Sequence, residues 1–357
     1  MKKTYFALLI SLLCSFAVQA QWTSVSSFNA AVIDLKTYDN GLFVGGNFSE
    51  RGSTNSYFTS VYNGSSWTDL PNLTGGSGIK QFEIYNGTLH ATGLISNKML
   101  QRWNGSNWSG FSTFNVSQSG IYADGDSLYI GGDFGDLSMS TDGSTFNTIA
   151  SFTDYAGSYG SLYSIIRYGN DIIVAGDFDT VGTVPAQCIA RWDGTTWHSL
   201  GSGISGGSRD VRCLAVYGGD LYVGGRFTSA GGQSTGAIAR WDGTNWSVVG
   251  NAATTAPNGI RDMIIYNNEL YVAGNFTSIG GLSGGGVAKW DGSAWTPLNF
   301  ANAGSEYPYA IEFFQGNLYL ATYVVPGASL YRYAPPVSTD PLQAFGDQFE
   351  VFPNPSD

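Results

Sequence analysis

Seven imperfect copies of one unit run through nearly the whole chain, and a repeat of this length dictates an architecture before any single residue is read. Each copy is marked by a short β-run closing on small residues. The clearest are Leu42-Phe43-Val44-Gly45-Gly46, Leu128-Tyr129-Ile130-Gly131-Gly132, Ile172-Ile173-Val174-Ala175-Gly176, Leu221-Tyr222-Val223-Gly224-Gly225 and Leu270-Tyr271-Val272-Ala273-Gly274. Weaker copies close on Gly93 and Thr322. The closing positions 46, 93, 132, 176, 225, 274 and 322 have a mean step of 46 residues, the length of a four-stranded propeller blade. Before each mark lies an apolar strand such as Val211–Tyr217, ended by Gly-Gly, Asn-Gly or Asn-Asn. Those residues accept the positive φ of a two-residue hairpin. After the mark, a looser loop leads to a strand ending Arg191-Trp192-Asp193-Gly194 or Arg240-Trp241-Asp242-Gly243, then to a short strand opened by Trp197 or Trp246. The four strands are called a to d.

The d strands decide how the ring closes. Their lead aromatics are Trp22, Trp67, Trp108, Phe146, Trp197, Trp246 and Trp295. The first precedes any a strand, and the last unit (a from Tyr309, b at Leu318, c at Leu330–Tyr333) has no d strand after it. The N-terminal strand Gln21–Ser26 is therefore expected to complete the last blade, which leaves no open seam. The expected fold is all-β: a seven-bladed β-propeller of four-stranded blades over residues 21–335.

Composition agrees. With 12% charged residues, 15% aromatics and 49 glycines, the chain is unlike a disordered segment, a coiled coil or a helical bundle. Sixteen basic against 27 acidic residues, a net charge of −11, argues against nucleic acid as a partner. At the N-terminus, Lys2 and Lys3 precede an apolar run from Tyr5 to Val18 and the small-residue site Val18-Gln19-Ala20. This pattern predicts a signal peptide over 1–20, too short to span a bilayer, with no transmembrane segment after its cleavage. Secretion or placement on the outer cell surface follows. Of the three cysteines, Cys188 and Cys213 remain after cleavage; a single bridge between them and two small buried side chains are both open. Residues 336–348, opening on Pro336, read as a linker, and 349–357 as the start of another β-segment.

The runs Leu221-Tyr222-Val223-Gly224-Gly225 and Arg240-Trp241-Asp242-Gly243-Thr244-Asn245-Trp246 resemble kelch-family propellers, with a double glycine ending b, an aromatic ending c and a Trp opening d. Similar units occur in the ectodomain of the fungal cortical cell-polarity marker. The third blade departs furthest, with Ser140-Thr141-Asp142-Gly143-Ser144-Thr145-Phe146 in place of the Arg-Trp-Asp-Gly turn. Near the other end, Phe349-Glu350-Val351-Phe352-Pro353-Asn354-Pro355 resembles the opening of the type A C-terminal sorting domain of Bacteroidota type IX secretion. The resemblance implies export by that machinery; the further strands of such a domain would follow residue 357.

All ten tryptophans occupy repeated positions, so packing between blades, not sugar stacking, explains them. His90 fills a slot held elsewhere by Tyr129, Tyr222 and Tyr271, and His198 follows a d-strand Trp. Neither supports a catalytic triad or a metal site, and no Asp-x-Asp-x-Asp-Gly calcium loop is present, so neither cofactor nor metal is expected. Ser140–Phe146 is similar to a degenerate sialidase Asp-box, which in that family is a structural turn. The resemblance implies an arginine cluster and a Tyr/Glu pair elsewhere. Arg212 and Arg261 lie near the starts of neighbouring a strands, where a shared cleft is the expectation, while a third arginine and a nucleophile have no assignable candidate. Asn47, Asp133, Asp177, Arg226 and Asn275 share the position after the marker, where a loop-capping hydrogen bond is expected.

The d–a and b–c connections are long and variable, and strand alternation puts both on one face of the disc. Binding on rigid frames resides in such loops. That face is expected to carry Tyr57, Phe114, Tyr155, Tyr159, Tyr307 and Tyr309, with Asp154, Asp210 and Glu306 nearby. The alternative is that these aromatics only pin down their own loops. The function expected is recognition of an extracellular glycan or protein. A glycan-active, sialidase-like hydrolase or lyase would instead show paired carboxylates converging on the central axis, and a structural surface-layer component is the third class.

Overall fold

The computed structural model describes residues 21–70, 76, 78–95, 98–110, 118–133, 135–250, 259–303, 305–323 and 327–334. The expected signal peptide, linker and sorting segment lie outside them, as does Phe114. Every regular element among the described residues is a β-strand. Seven antiparallel units of four strands follow one another along the chain. The first, for example, consists of Val32–Tyr38, Gly41–Gly46, Thr59–Tyr62 and Trp67–Asp69. The a strands are Val32–Tyr38, Gln81–Tyr85, Gln118–Asp124, Ser161–Tyr168, Asp210–Tyr217, Gly259–Tyr266 and Tyr307–Phe314. Each packs beside the next, and the seventh packs beside the first. The chain is a seven-bladed β-propeller.

Closure follows the expected route. Gln21–Phe28, two residues longer than anticipated, pairs antiparallel with Ala328–Ala334 in register from Gln21↔Ala334 to Phe28↔Ala328. The a–b turns take the left-handed conformation that their residues predict, as at Gly218 and Gly219 or Asn267 and Asn268. At the c–d turns, Asn63, Asn104, Asp142, Asp193, Asp242 and Asp291 each accept the amides two and three residues on. The Asp of each Trp-Asp-Gly turn is thus a turn cap.

Tryptophan joins the blades. The c- and d-strand aromatics pack as pairs, Trp103–Trp108 at 5.3 Å, Trp241–Trp246 at 5.1 Å and Trp290–Trp295 at 5.2 Å between ring centroids. Each such pair contributes about 0.5–1.5 kcal/mol beyond area burial. The indole then reaches back one blade: Trp22 donates to the carbonyl of Leu298, Trp246 to Leu200 and Trp295 to Val249 at 2.9–3.1 Å. Cys188 and Cys213 are free, buried thiols, so no disulfide forms.

The long-loop face is less open than the sequence implies. The b–c connections of blades 1, 4, 5 and 6 fold into small hairpins. Three of these dock on the preceding blade, through Phe28↔Arg51, Phe152↔Val181 and Ile204↔Ala230. Phe48, Phe178, Phe227 and Phe276, two residues after each marker, are buried beneath them. These b–c loops serve as latches.

The second marker glycine sits where the b strand crosses the backbone that starts its own a strand. A Cβ at Gly225 would collide with the carbonyl oxygen of Asp210, a contact with main chain that cannot rotate away. Gly225→Ala is expected to lower unfolding stability by about 1–3 kcal/mol, measured by urea denaturation. A change within measurement error would remove this packing argument.

Candidate functional site at the axial mouth

Six a strands carry a β-bulge near their start, between Val32 and Asp34, Gln118 and Gly120, Leu162 and Ser164, Val211 and Cys213, Ile260 and Asp262, and Pro308 and Ala310. In the second blade, Lys80 takes the equivalent place by donating its amide to the Thr92 carbonyl. A bulge re-aims the extra side chain. Here Ile33, Lys80, Tyr163, Arg212, Arg261 and Tyr309 consequently line a central cavity of about 560 Å³. A second cavity of about 480 Å³ shares Ile33, Lys80, Arg261 and Tyr309 and is otherwise lined by Asn47, Asn275, Tyr307, Pro308 and Tyr323. Asn47 and Asn275 follow b strands and Tyr307 begins an a strand, so this cavity is the mouth of the channel on the long-loop face.

The mouth is cationic and aromatic. The Arg212 guanidinium lies 4.2 Å above the Tyr163 ring and pairs with Asp210 at 2.6 Å, while Arg226 binds the same carboxylate. Burial pushes the Asp210 carboxyl up, but its hydrogen bonds to Arg226 and Arg212 more than offset this and hold it below the ordinary value. Arg261 lies over Tyr309 at 5.2 Å and makes no ion pair or hydrogen bond among the described residues. Burial, together with the nearby charges of Arg212 and Arg226, lowers its pKa.

One layer deeper, the floor is acidic. Asp34 accepts the Leu35 amide at 2.9 Å and the Phe82 amide of the next blade at 2.5 Å. Asp262 does the same with Met263 and Ile311, both at 2.8 Å, and the Gln81 side chain accepts from Ile121 at 3.0 Å. These are repeated clips between blades at the residue after the bulge. Beyond them, Lys36 faces Asp34, Glu83, Asp262 and Glu312, with Glu83 3.9 Å away. Burial raises all four carboxyls, Asp262 to about 6 and Glu312 to about 7. Among the described residues, no group of three or more His, Cys, Asp or Glu is arranged to hold a metal ion.

The structure brings Arg261, Tyr307 and Tyr309 together at the mouth, while Arg212 joins Arg261 and Tyr309 in the central cavity. Tyr57, Tyr155 and Tyr159 line neither cavity. Tyr57 packs edge-on against Phe58 within a latch loop, and Tyr155 is 91% exposed on a turn capped by Asp154. Glu306 anchors its own loop through Tyr331 and Thr322. Of the residues expected to cap loops after the marker, Asn47 and Asn275 line the mouth, Asp133 lines the channel, and Arg226 is held by Asp210. Burial lowers the pKa of His90, and His198 pairs with the turn carboxylate of Asp193 at 2.7 Å. Lys80, Tyr163 and Tyr323 escaped the sequence reading, as did the axial carboxylates. Aligning the start of each a strand across repeats would have put Lys80 and Tyr163 in one column with Arg212 and Arg261.

No protein-family model and no curated protein matches the sequence. Solved structures do. The chain is similar to YCF48 bound to D1 peptide, with TM-score 0.57, 14% identity, and 88% of this chain and 96% of that chain covered. It is also similar to the extracellular domain of a putative hybrid two-component system from B. thetaiotaomicron, with TM-score 0.60, 13% identity, and 87% of this chain and 39% of that one covered. The WD40 β-propeller of Doa1 matches with TM-score 0.53, 12% identity, and 87% and 96% covered. At these identities the likeness is one of fold.

The raised axial carboxyls make a pH prediction. Folded Asp262 and Glu312 hold protons up to about pH 6 and 7, whereas unfolded carboxylates release theirs near pH 4. Between roughly pH 4 and 7 the folded state therefore binds more protons, and stability falls as pH rises. Urea unfolding is expected to show the protein more stable at pH 5 than at pH 8, with Glu312→Gln recovering roughly 1–3 kcal/mol at the higher pH. Equal losses in both proteins would show that Glu312 does not titrate in this way.

Proposed function

We propose that this is a secreted or outer-surface recognition protein that binds an extracellular glycan or protein at the axial mouth of its long-loop face. The observation that carries the reading is the convergence of Arg261, Lys80, Tyr307, Tyr309 and Tyr323 on one open cavity of about 480 Å³, within the size range of small-ligand sites. The frame is a closed ring, and the residues of the mouth come from four blades that hold one another in place, so the site is preorganised. The solved structure of YCF48 holds a peptide on the same fold. Export is supported by the leader pattern at residues 1–20 and by the resemblance of 349–357 to a type IX sorting segment, and the repeat motifs support a kelch-like lineage.

Glycan hydrolysis is the second reading, favoured by Arg212 and Arg261 sharing a cavity with Tyr309 and by carboxylates on the axis. The two most buried of these, Asp34 and Asp262, use both oxygens as acceptors for backbone amides, which suits a clip better than a nucleophile. Recognition without bond cleavage therefore ranks first.

A broad glycan array probed with the purified protein tests the reading. Selective binding is expected, lost in Tyr307→Ala/Tyr309→Ala and kept in Tyr155→Ala/Tyr159→Ala. Loss in the second variant alone would move the site to the exposed d–a loop of blade 3. Release of reducing sugar from a bound glycan would establish the hydrolase instead.

A further inference from the structure

The mouth cavity has a charge composition that the rest of the molecule does not share. The protein carries a net charge of −11, yet among the described residues the only charged ones lining this cavity are two cations, Lys80 and Arg261. Neither makes an ion pair among the described residues. Arg261 is half-buried, stacked on Tyr309, and near two other guanidinium groups. A partly desolvated cation without a counter-ion is costly, and structures retain one where a ligand supplies the missing charge. A separate observation points the same way. In the adjoining wall the Nε of Arg212 is buried with no hydrogen-bond partner, although its Nη2 is held by Asp210. Arg212 and Arg261, on neighbouring inner strands, thus place two guanidinium groups along connected cavities.

We infer that the axial mouth binds the carboxylate or sulfate of an acidic saccharide between Arg261 and Lys80. The class follows from the lining. A guanidinium fork matches an oxyanion geometrically, the Asn47 and Asn275 amides are placed for hydroxyls, and Tyr307, Tyr309 and Tyr323 offer flat apolar faces to a sugar ring. Carboxylates surround the mouth on its other sides: Asp133 and Asp177 at the rim of blades 3 and 4, and Asp34, Glu83, Asp262 and Glu312 around Lys36 below. Where ionised, they repel an oxyanion from the channel and confine it to the cationic side.

This inference rests on the mouth being the recognition site, and the test separates the two. Isothermal titration of the full chain would use trigalacturonate, a sulfated galactose trisaccharide, the matching neutral trisaccharide and a short polyglutamate peptide, each at low and high salt. The expected result is binding of the acidic saccharides, weakened by salt and by about tenfold or more in Arg261→Gln and Lys80→Gln. Preference between the first two probes distinguishes carboxylate from sulfate. Because Arg261 makes no ion pair or hydrogen bond among the described residues and is near two other guanidinium groups, the Tm of Arg261→Gln is expected to equal or exceed that of the parent, so lost binding is not lost fold. Acidic saccharide binding unchanged in both variants, or no binding of either acidic saccharide, overturns the inference. Neutral sugar binding that is lost in Tyr307→Ala/Tyr309→Ala but kept in Arg261→Gln overturns it while leaving the recognition reading intact. Binding of polyglutamate alone overturns the saccharide class.

Discussion

The pairing of Gln21–Phe28 with Ala328–Ala334 is the contact on which the other geometry depends. Seven blades packed side by side hold a common radius only if the last is fastened to the first, and here one continuous antiparallel ladder joins the two ends of the domain. Unzipping the ring then requires breaking that ladder as well as an interface between blades. With the radius fixed, the inner strands line the axis, and the bulges of blades 1, 4, 5, 6 and 7 each aim one side chain into the channel. The mouth is therefore a product of closure. A ring that opened would carry Lys80, Arg261 and Tyr309 apart.

Strain and function separate along the axis. The polar side chains one residue past the bulge, Asp34, Gln81 and Asp262, satisfy amides of the following blade that would otherwise be buried without a partner. The cost is a set of carboxyls that burial makes reluctant to ionise. The bulge residues themselves have no such duty. Ile33, Lys80, Tyr163, Arg212, Arg261 and Tyr309 differ in chemistry from blade to blade although their backbone positions match. Variation at a fixed structural position is how a repeat frame gains a specific surface. The latch hairpins use their b–c loops to tie blade to blade.

Much of this was legible in the chain. The double glycines have a steric reason: the second lies against the backbone that starts its own a strand, so Gly225 and Gly46 read as b-strand ends wherever they recur. The d-strand tryptophans were correctly read as packing residues because packing between identical units demands identical positions. The lining of the axial cavities was legible only in part. Arg212 and Arg261 were singled out as charges near the starts of neighbouring a strands, and Tyr307 and Tyr309 through their loop. Lys80 and Tyr163 were missed because nothing in a strand's alternation announces a bulge, which shifts the facing of one residue without changing the pattern around it. The axial carboxylates were missed for the same reason. Tyr155 looked equivalent to Tyr307 in sequence, yet it stands exposed and lines neither cavity.

The sequence by itself determined the unit, its number, its strand order and the closure by the first strand, because each is written in local turn chemistry and in a period that stacking must respect. Tertiary structure decided which residues share the axis. Residues as far apart in the chain as Ile33, Lys80, Arg261 and Tyr309 line one cavity only because seven right-handed strand twists add up to a closed ring. It also decided which charges are answered by a neighbouring group and which are not, since burial and pairing are properties of the assembled ring and not of any one repeat.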